Sequence, residues 1–309
     1  MVKSPPLDGV DADVRVPAVR ARRARAIVRL CRPEQWIKNG LVLAGLFFSD
    51  QLFERRVALQ SVRATIGFCL LSSAIYCLND IIDRDADAAH PEKRQRPLAS
   101  GTLTVTDAWI TGAVLLAGAA ALLLTGLNWQ VPTIAGAYLV MNALYSQWLK
   151  HVALVDVLII AAGFVLRLVA GTYAVEVEPT SWIVLTTGLG ALLLALGKRR
   201  GDLEQETASH RASLAGYTLA FIDQALAMMA AATVVVYALY TVSDYAQARF
   251  DAPLLYLTTF PVVAGILRYL QTVMVYGRYG SPTDLALHDR PLQLVVAIWL
   301  AMFALFVYA

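Results

Sequence analysis

The sequence predicts an all-α, polytopic membrane protein, and three observations carry that expectation. Of 309 residues, 58% are hydrophobic and only 16% charged, with a mean hydropathy of +0.57, too apolar for an ordinary water-soluble domain. Nine stretches approach or reach the roughly 20 apolar residues that cross a hydrocarbon core. None shows the two-residue alternation of a membrane barrel, and a backbone in lipid must satisfy its own hydrogen bonds, so the stretches read as helices.

In chain order, residues 1–32 form a basic segment without a cleavable signal peptide. Its cluster Arg20, Arg22, Arg23, Arg25, Arg29 and Arg32 is suited to anchoring on anionic lipid heads. A transmembrane domain is expected over 33–309, with spans at 40–53, 64–79, 108–127, 131–149, 153–175, 182–197, 221–242, 253–272 and 292–309. The first two are the least sharply bounded, because the charges between 54 and 63 leave little room for a loop. The fifth carries Asp156 about one turn in and Arg167 nearer mid-span; eleven residues apart, about 16 Å along a helix, they do not pair directly. Arg167 is expected to lock helices through backbone carbonyls. The cluster 284–290 before the last span fits a helix cap and a reach toward the site equally well.

Alternating the loops puts the N-terminus, 80–107, 150–152, 198–220 and 273–291 on one side, with twenty Lys and Arg residues against only Arg55, Arg56, Arg63 and Arg249 on the other. The positive-inside rule then makes the first side cytoplasmic and the C-terminus external, in an inner (plasma) membrane. Cys31, Cys69 and Cys77 form no CxxC pair and read as core fillers. A net charge of +3 gives no sign of a nucleic-acid partner. Assembly into a homo-oligomer is left open.

The chemistry concentrates after the second span, in Asn79-Asp80-Ile-Ile-Asp83-Arg-Asp-Ala-Asp87. On a helix, Asp80, Asp83 and Asp87 share a face with Asn79 at its edge, while Asp85 points away. Stacked like charges repel, so the face wants a cation, and hard oxygen donors suit Mg²⁺. The plainer reading is a solvated helix end paired with nearby cations. The following loop, His90-Pro-Glu-Lys93-Arg94-Gln-Arg96-Pro97, supplies three cations of the kind that bind a diphosphate.

These residues resemble the UbiA superfamily of intramembrane prenyltransferases, whose first signature is N-D-x-x-D-x-x-x-D. The second aspartate motif of that family is altered here: the loop reads Gly197-Lys198-Arg199-Arg200-Gly201-Asp202-Leu203-Glu204-Gln205-Glu206, a D-x-x-x-E behind three cations. This departure, with Arg32-Pro33-Glu34-Gln35-Trp36-Ile37-Lys38-Asn39 before the first span and the H-P-x-K-R-x-R-P run, is similar to the decaprenyl-phosphate phosphoribosyltransferase branch. Further similarities are Tyr145 with Lys150 and Asp156, Ile266-Leu-Arg268-Tyr269, and the run 284–290. The resemblance covers Arg32 to the C-terminus.

The resemblance implies a nine-helix bundle with a cytoplasmic mouth. There a polyprenyl phosphate attacks C1 of 5-phosphoribosyl 1-diphosphate (PRPP), and diphosphate leaves. The product would feed arabinose-donor synthesis for the cell envelope. Asn79, Asp80, Asp83 and Asp87 would hold Mg²⁺, with Asp80 and Asp83 catalytic through it. Lys38, Arg94, Lys150, Lys198 and Arg199 would clamp phosphates, joined by Asn39, Lys93, Arg96 and Asp156. Each of the first five also reads as an ordinary interfacial cation. Tyr145 would donate a hydrogen bond to phosphate, and Asp202 would take ribose hydroxyls or a second Mg²⁺. Two alternatives differ: an aromatic prenyltransferase predicts a second acidic motif without Lys-Arg-Arg, and a transporter predicts polar residues spread through helix interiors.

Overall fold

A computed structural model describes residues 12–49, 51–91, 93–204, 212–277 and 282–308, and among these every regular element is helical. In order they are α1 (Ala12–Cys31), a 3-10 helix at Pro33–Asn39, α2 (Gly40–Phe47), α3 (Arg55–Ile82), α4 (Arg84–Ala89), α5 (Val105–Leu123), α6 (Gln130–Gln147), α7 (Val155–Ala174), α8 (Ser181–Glu204), α9 (Leu219–Val242), α10 (Asp244–Phe250), α11 (Thr259–Met274), α12 (Pro282–His288) and α13 (Arg290–Tyr308). Among the described residues, seven helical runs are long and apolar enough to cross a membrane: α3, α5, α7, α8, α9, Leu255–Met274 and α13. The two other expected spans are α2, only 8 residues long, and α6, whose 18 residues include Gln130, Pro132, Asn142 and Gln147.

The first two spans differ from the expected boundaries. α2 stops at Phe47, and α3 begins at Arg55 and runs for 28 residues. The charges that break the hydropathy pattern are accommodated inside the helix. Arg63 donates from Nε to the Leu122 carbonyl at 2.8 Å, covering an open acceptor at the end of α5, and Arg56 pairs with Glu176 at 3.2 Å. Helix ends leave four carbonyls without partners, and a guanidinium is well shaped to serve them.

The chain divides into two compact units, and α3 and α5 contribute to both. The first comprises 1–33 and 70–118, with a small core of Ala26, Leu30, Cys77, Leu98, Leu103 and Ala108. Thr104 and Asp107 exchange hydrogen bonds at the start of α5, the Asp107 amide donating to Thr104 Oγ1 at 3.1 Å and the Thr104 amide to Asp107 Oδ2 at 3.0 Å. This reciprocal cap fixes where the helix begins. Asp107 also accepts Arg23 at 2.5 Å, which ties α1 to it.

The second unit comprises 34–69 and 119–309. Gly45 and Gly171 let the backbones of α2 and α7 touch: a Cβ on Gly171 would collide with the Val42 carbonyl, and one on Gly45 with the Gly171 carbonyl. α8, α9 and α11 pack around Leu193, Leu196, Ile222, Leu226, Tyr269 and Val273. Asp289 caps α13 by accepting the Leu292 amide at 2.9 Å and takes Arg268 in two bonds of 3.1 and 2.8 Å. The cluster 284–290 therefore contains a helix cap. All three cysteines are free thiols.

Candidate active site

The acidic segment lies in the first unit, and its expected single helix is interrupted. α3 ends at Ile82, Asp83 stands alone at φ −91° and ψ 3°, and α4 begins at Arg84. The break still leaves Asp80 and Asp87 converging. Nη1 of Arg96 donates to Asp87 Oδ2 at 2.5 Å and approaches Asp80 Oδ1 at 3.5 Å. Arg32 makes a close ion pair with the same Asp80 oxygen. Both carboxylates are buried, Asp80 at 2% and Asp87 at 4% exposure. Asn79 and Asp83 are half-buried beside them, and Asp85 faces solvent as expected.

Arg32 was missed as a site residue by the sequence reading, which placed it in the lipid-anchoring cluster. The signal was its position immediately before Pro33. Its backbone is left-handed, φ +50°, a costly conformation for a residue other than glycine, and one that gathers at functional sites. Its guanidinium lies 4.9 Å from the centre of the Tyr76 ring. Lys93 and Arg94 are exposed on the following loop.

In the second unit the basic motif at the end of α8 divides by burial. Lys198 is exposed, whereas Arg199 is 1% exposed. Arg199 donates from Nε to Asp156 Oδ2 at 2.7 Å and from Nη1 to Asp202 Oδ2 at 2.6 Å. Asp156, 0% exposed, also accepts Tyr217 Oη–H at 2.6 Å and Ser213 Oγ–H at 3.2 Å. Burial and the hydrogen bond to Asp156 push the Tyr217 phenol up to about 12. Arg200 pairs with Asp223 and Glu204 at 2.7 and 2.9 Å. Arg199 and Asp156, expected at substrate phosphates, thus face each other, and Arg199 orients Asp202. Tyr217 and Ser213 carried no sequence signal. Glu206, the end of the D-x-x-x-E, lies outside the described residues.

Gly197 opens the motif for a steric reason: a Cβ there would strike the hydroxyl of Tyr269 on α11. Tyr145 and Lys150 are half-buried near the end of α6, and Lys38 is half-buried in the 3-10 helix Pro33–Asn39. Asn39 is buried, accepting Arg167 Nε–H at 2.8 Å and donating to Cys69 Sγ at 3.4 Å. Arg167 does lock elements together, but through side chains rather than the expected backbone carbonyls: besides Asn39 it donates to Tyr138 Oη at 2.5 Å, and the Gly163 carbonyl it also reaches, at 2.9 Å, lies on its own helix.

The second unit also holds a cavity of about 450 Å³, lined among others by Gly45, Phe48, Trp182, Tyr237, Tyr269 and Trp299. Its wall is overwhelmingly apolar, and none of the residues expected to bind phosphate lines it. A hydrocarbon is the ligand such a wall favours.

Residues 40–284 match the UbiA prenyltransferase family. The chain is 34% identical over 294 residues to the decaprenyl-phosphate phosphoribosyltransferase of Corynebacterium glutamicum, covering 92% of this chain and 87% of that one. It is 33% identical to the enzyme of the same name from Mycolicibacterium smegmatis, over 91% of this chain and 92% of the relative. Among solved structures it resembles a UbiA homolog from Archaeoglobus fulgidus bound to GPP and Mg²⁺, with a TM-score of 0.69, 19% identity, and coverage of 92% of this chain and all of that one.

Proposed function

This chain belongs to the UbiA prenyltransferase family, and from that membership we propose that it is an intramembrane glycosyltransferase moving 5-phosphoribosyl from PRPP to a polyprenyl phosphate. The observation that carries the reading is the near end-to-end likeness to decaprenyl-phosphate phosphoribosyltransferases, with 34% identity over 92% of the chain. The bundle is proposed to cross the membrane nine times, the short α2 with its flanking turns and the more polar α6 supplying the other two crossings, with the reaction at the cytoplasmic face.

The acidic segment fits Mg²⁺ by its donor set. Two buried carboxylates, Asp80 and Asp87, converge on one cationic nitrogen. No cluster of three or more His, Cys, Asp or Glu side chains suited to a metal occurs among the described residues. Mg²⁺ is commonly held by one or two carboxylates together with waters and substrate phosphates, which is this arrangement rather than an all-protein cage. Asp80 and Asp87 would hold it, with Asn79 and Asp83 as flanking donors. When bound, Mg²⁺ would offset charge developing on the departing diphosphate.

The remaining roles belong to side chains. Lys38, Lys150 and Lys198, with Lys93, Arg94 and Arg96, offset the charge of two polyanions. Tyr145 donates a hydrogen bond to phosphate, and Asp202, held by Arg199, accepts from ribose hydroxyls. A phosphate oxygen of the prenyl phosphate forms a bond to C1 of the ribose as the C1–O bond to diphosphate breaks. The nucleophile is already ionised at neutral pH, so no general base is required. The apolar cavity accommodates part of the polyprenyl chain.

The test is a turnover assay on purified full-length protein in detergent with radiolabelled PRPP, Mg²⁺ and a polyprenyl phosphate, following label into the organic phase. Transfer that needs both Mg²⁺ and the lipid phosphate is expected. No transfer, with activity instead on a prenyl diphosphate and an aromatic acceptor, overturns the reading.

A further inference from the structure

Arg32, Arg96, Asp80 and Asp87 form a group of two guanidiniums and two carboxylates whose formal charges sum to zero. The two arginines are held very differently. Arg32 is fixed three ways: by its left-handed backbone, by its close pair with Asp80 and by the Tyr76 ring beneath it. Arg96 follows the short 3-10 turn Lys93–Gln95. It bridges both carboxylates through one nitrogen, with 29% of its side chain exposed.

We propose that Arg96 is a displaceable counter-ion, holding Asp80 and Asp87 together until a divalent cation enters with a diphosphate-bearing substrate, and then passing from the carboxylates to the phosphate oxygens. This rests on the reading of the acidic segment as a Mg²⁺ site given above.

The point where Asp80 and Asp87 meet is filled by one Arg96 nitrogen, and a metal ion bridging the same two carboxylates would have to take that place. A divalent cation entering alone would leave a buried, balanced group with two surplus positive charges, and uncompensated charge away from water is costly. A diphosphate arriving with the metal removes that surplus. It also gives the released fork of Arg96 a partner of matching geometry. Metal and anion therefore bind cooperatively, and Arg96 carries the coupling. Arg32 stays with Asp80 and keeps that carboxylate oriented.

The experiment titrates the full-length protein in detergent with Mn²⁺ alone and with preformed Mn²⁺–diphosphate, reading free Mn²⁺ by electron paramagnetic resonance. The wild-type protein is expected to bind Mn²⁺ about tenfold more tightly when diphosphate accompanies it, within the usual range of coupling between sites. Arg96→Gln should bind Mn²⁺ alone about tenfold more tightly than wild type and lose most of the coupling. Unchanged Mn²⁺ affinity, or intact coupling, in Arg96→Gln overturns the proposal. Where Arg96→Gln does not survive purification, Arg96→Lys carries the test. A lysine has no fork to bridge two carboxylates, so tighter binding of Mn²⁺ alone is again expected, and unchanged affinity overturns the proposal. Asp80→Asn and Asp87→Asn separate the two layers. If they bind Mn²⁺ as wild type does, the metal reading itself fails. If they lose Mn²⁺ while both Arg96 variants behave as wild type, the metal reading stands and the counter-ion role alone is wrong.

Discussion

Two arginine–aspartate clusters in this protein use the same chemical groups to opposite ends. Around Asp156, Arg199 is 1% exposed and the carboxylate is filled by Arg199, Tyr217 and Ser213. Around Asp80 and Asp87 the carboxylates are equally buried, but the arginines that meet them keep 21% and 29% of their side chains exposed. A buried carboxylate closed in by side-chain donors behaves as structure. One neutralised by partly exposed guanidiniums can exchange partners. Burial of the acid alone does not separate the two; the exposure of its counter-ions does.

Breaking the closed cluster should have the largest effect on folding. Asp156→Ala leaves the buried Arg199 with Asp202 alone and removes the acceptor of Tyr217 and Ser213, and removing one partner of a buried pair costs about 3–5 kcal/mol. A steep fall in the thermal midpoint in detergent is expected, and a midpoint within a degree or two of wild type would erase the distinction. Asp80→Asn tests the open cluster from the other side. Turnover should fall by at least about 100-fold, the scale on which lost electrostatic stabilisation is felt, while the midpoint moves much less than in Asp156→Ala.

The smallest effect sharpens the comparison. Tyr217→Phe removes a hydrogen bond to Asp156 and an acceptor for the Leu154 amide, 2.7 Å away, for a cost of about 1–3 kcal/mol. Because the folded phenol is raised to about 12 from an ordinary value near 10, its stabilising contribution is complete below about pH 10 and is lost as the pH rises through 12. Thermal midpoints measured from pH 9 to 12 should decline more steeply in wild type than in Tyr217→Phe. Equal slopes would remove the tyrosine from the cluster.

Much of this was legible in the chain. Hydropathy gave the helices, and the Asn79 to Pro97 segment marked the acidic site, because carboxylates on one helix face have no local reason to coexist. What hydropathy hides is where a charged residue ends a helix and where it merely caps a neighbour. Arg56 and Arg63 look like a loop until their partners, Glu176 and the Leu122 carbonyl, are known. The break at Asp83 carries no glycine or proline to announce it. No periodicity links Arg199 to its partner Asp156, 43 residues away along the chain. Asn39 likewise gives no sign of Arg167, 128 residues on, which holds it.

The hydroxyl of Tyr269 occupies the space a side chain at Gly197 would need, and it donates to the Leu194 carbonyl one turn earlier. These two positions are thus bound in inheritance: a lineage that gains alanine at 197 must first shed the tyrosine on α11 or shift the helix that carries it. Were α8 to yield instead, Lys198 and Asp202 would move with it, and Tyr269 itself lines the apolar cavity, so a substitution at 197 would reach both the polar and the apolar parts of the proposed substrate site.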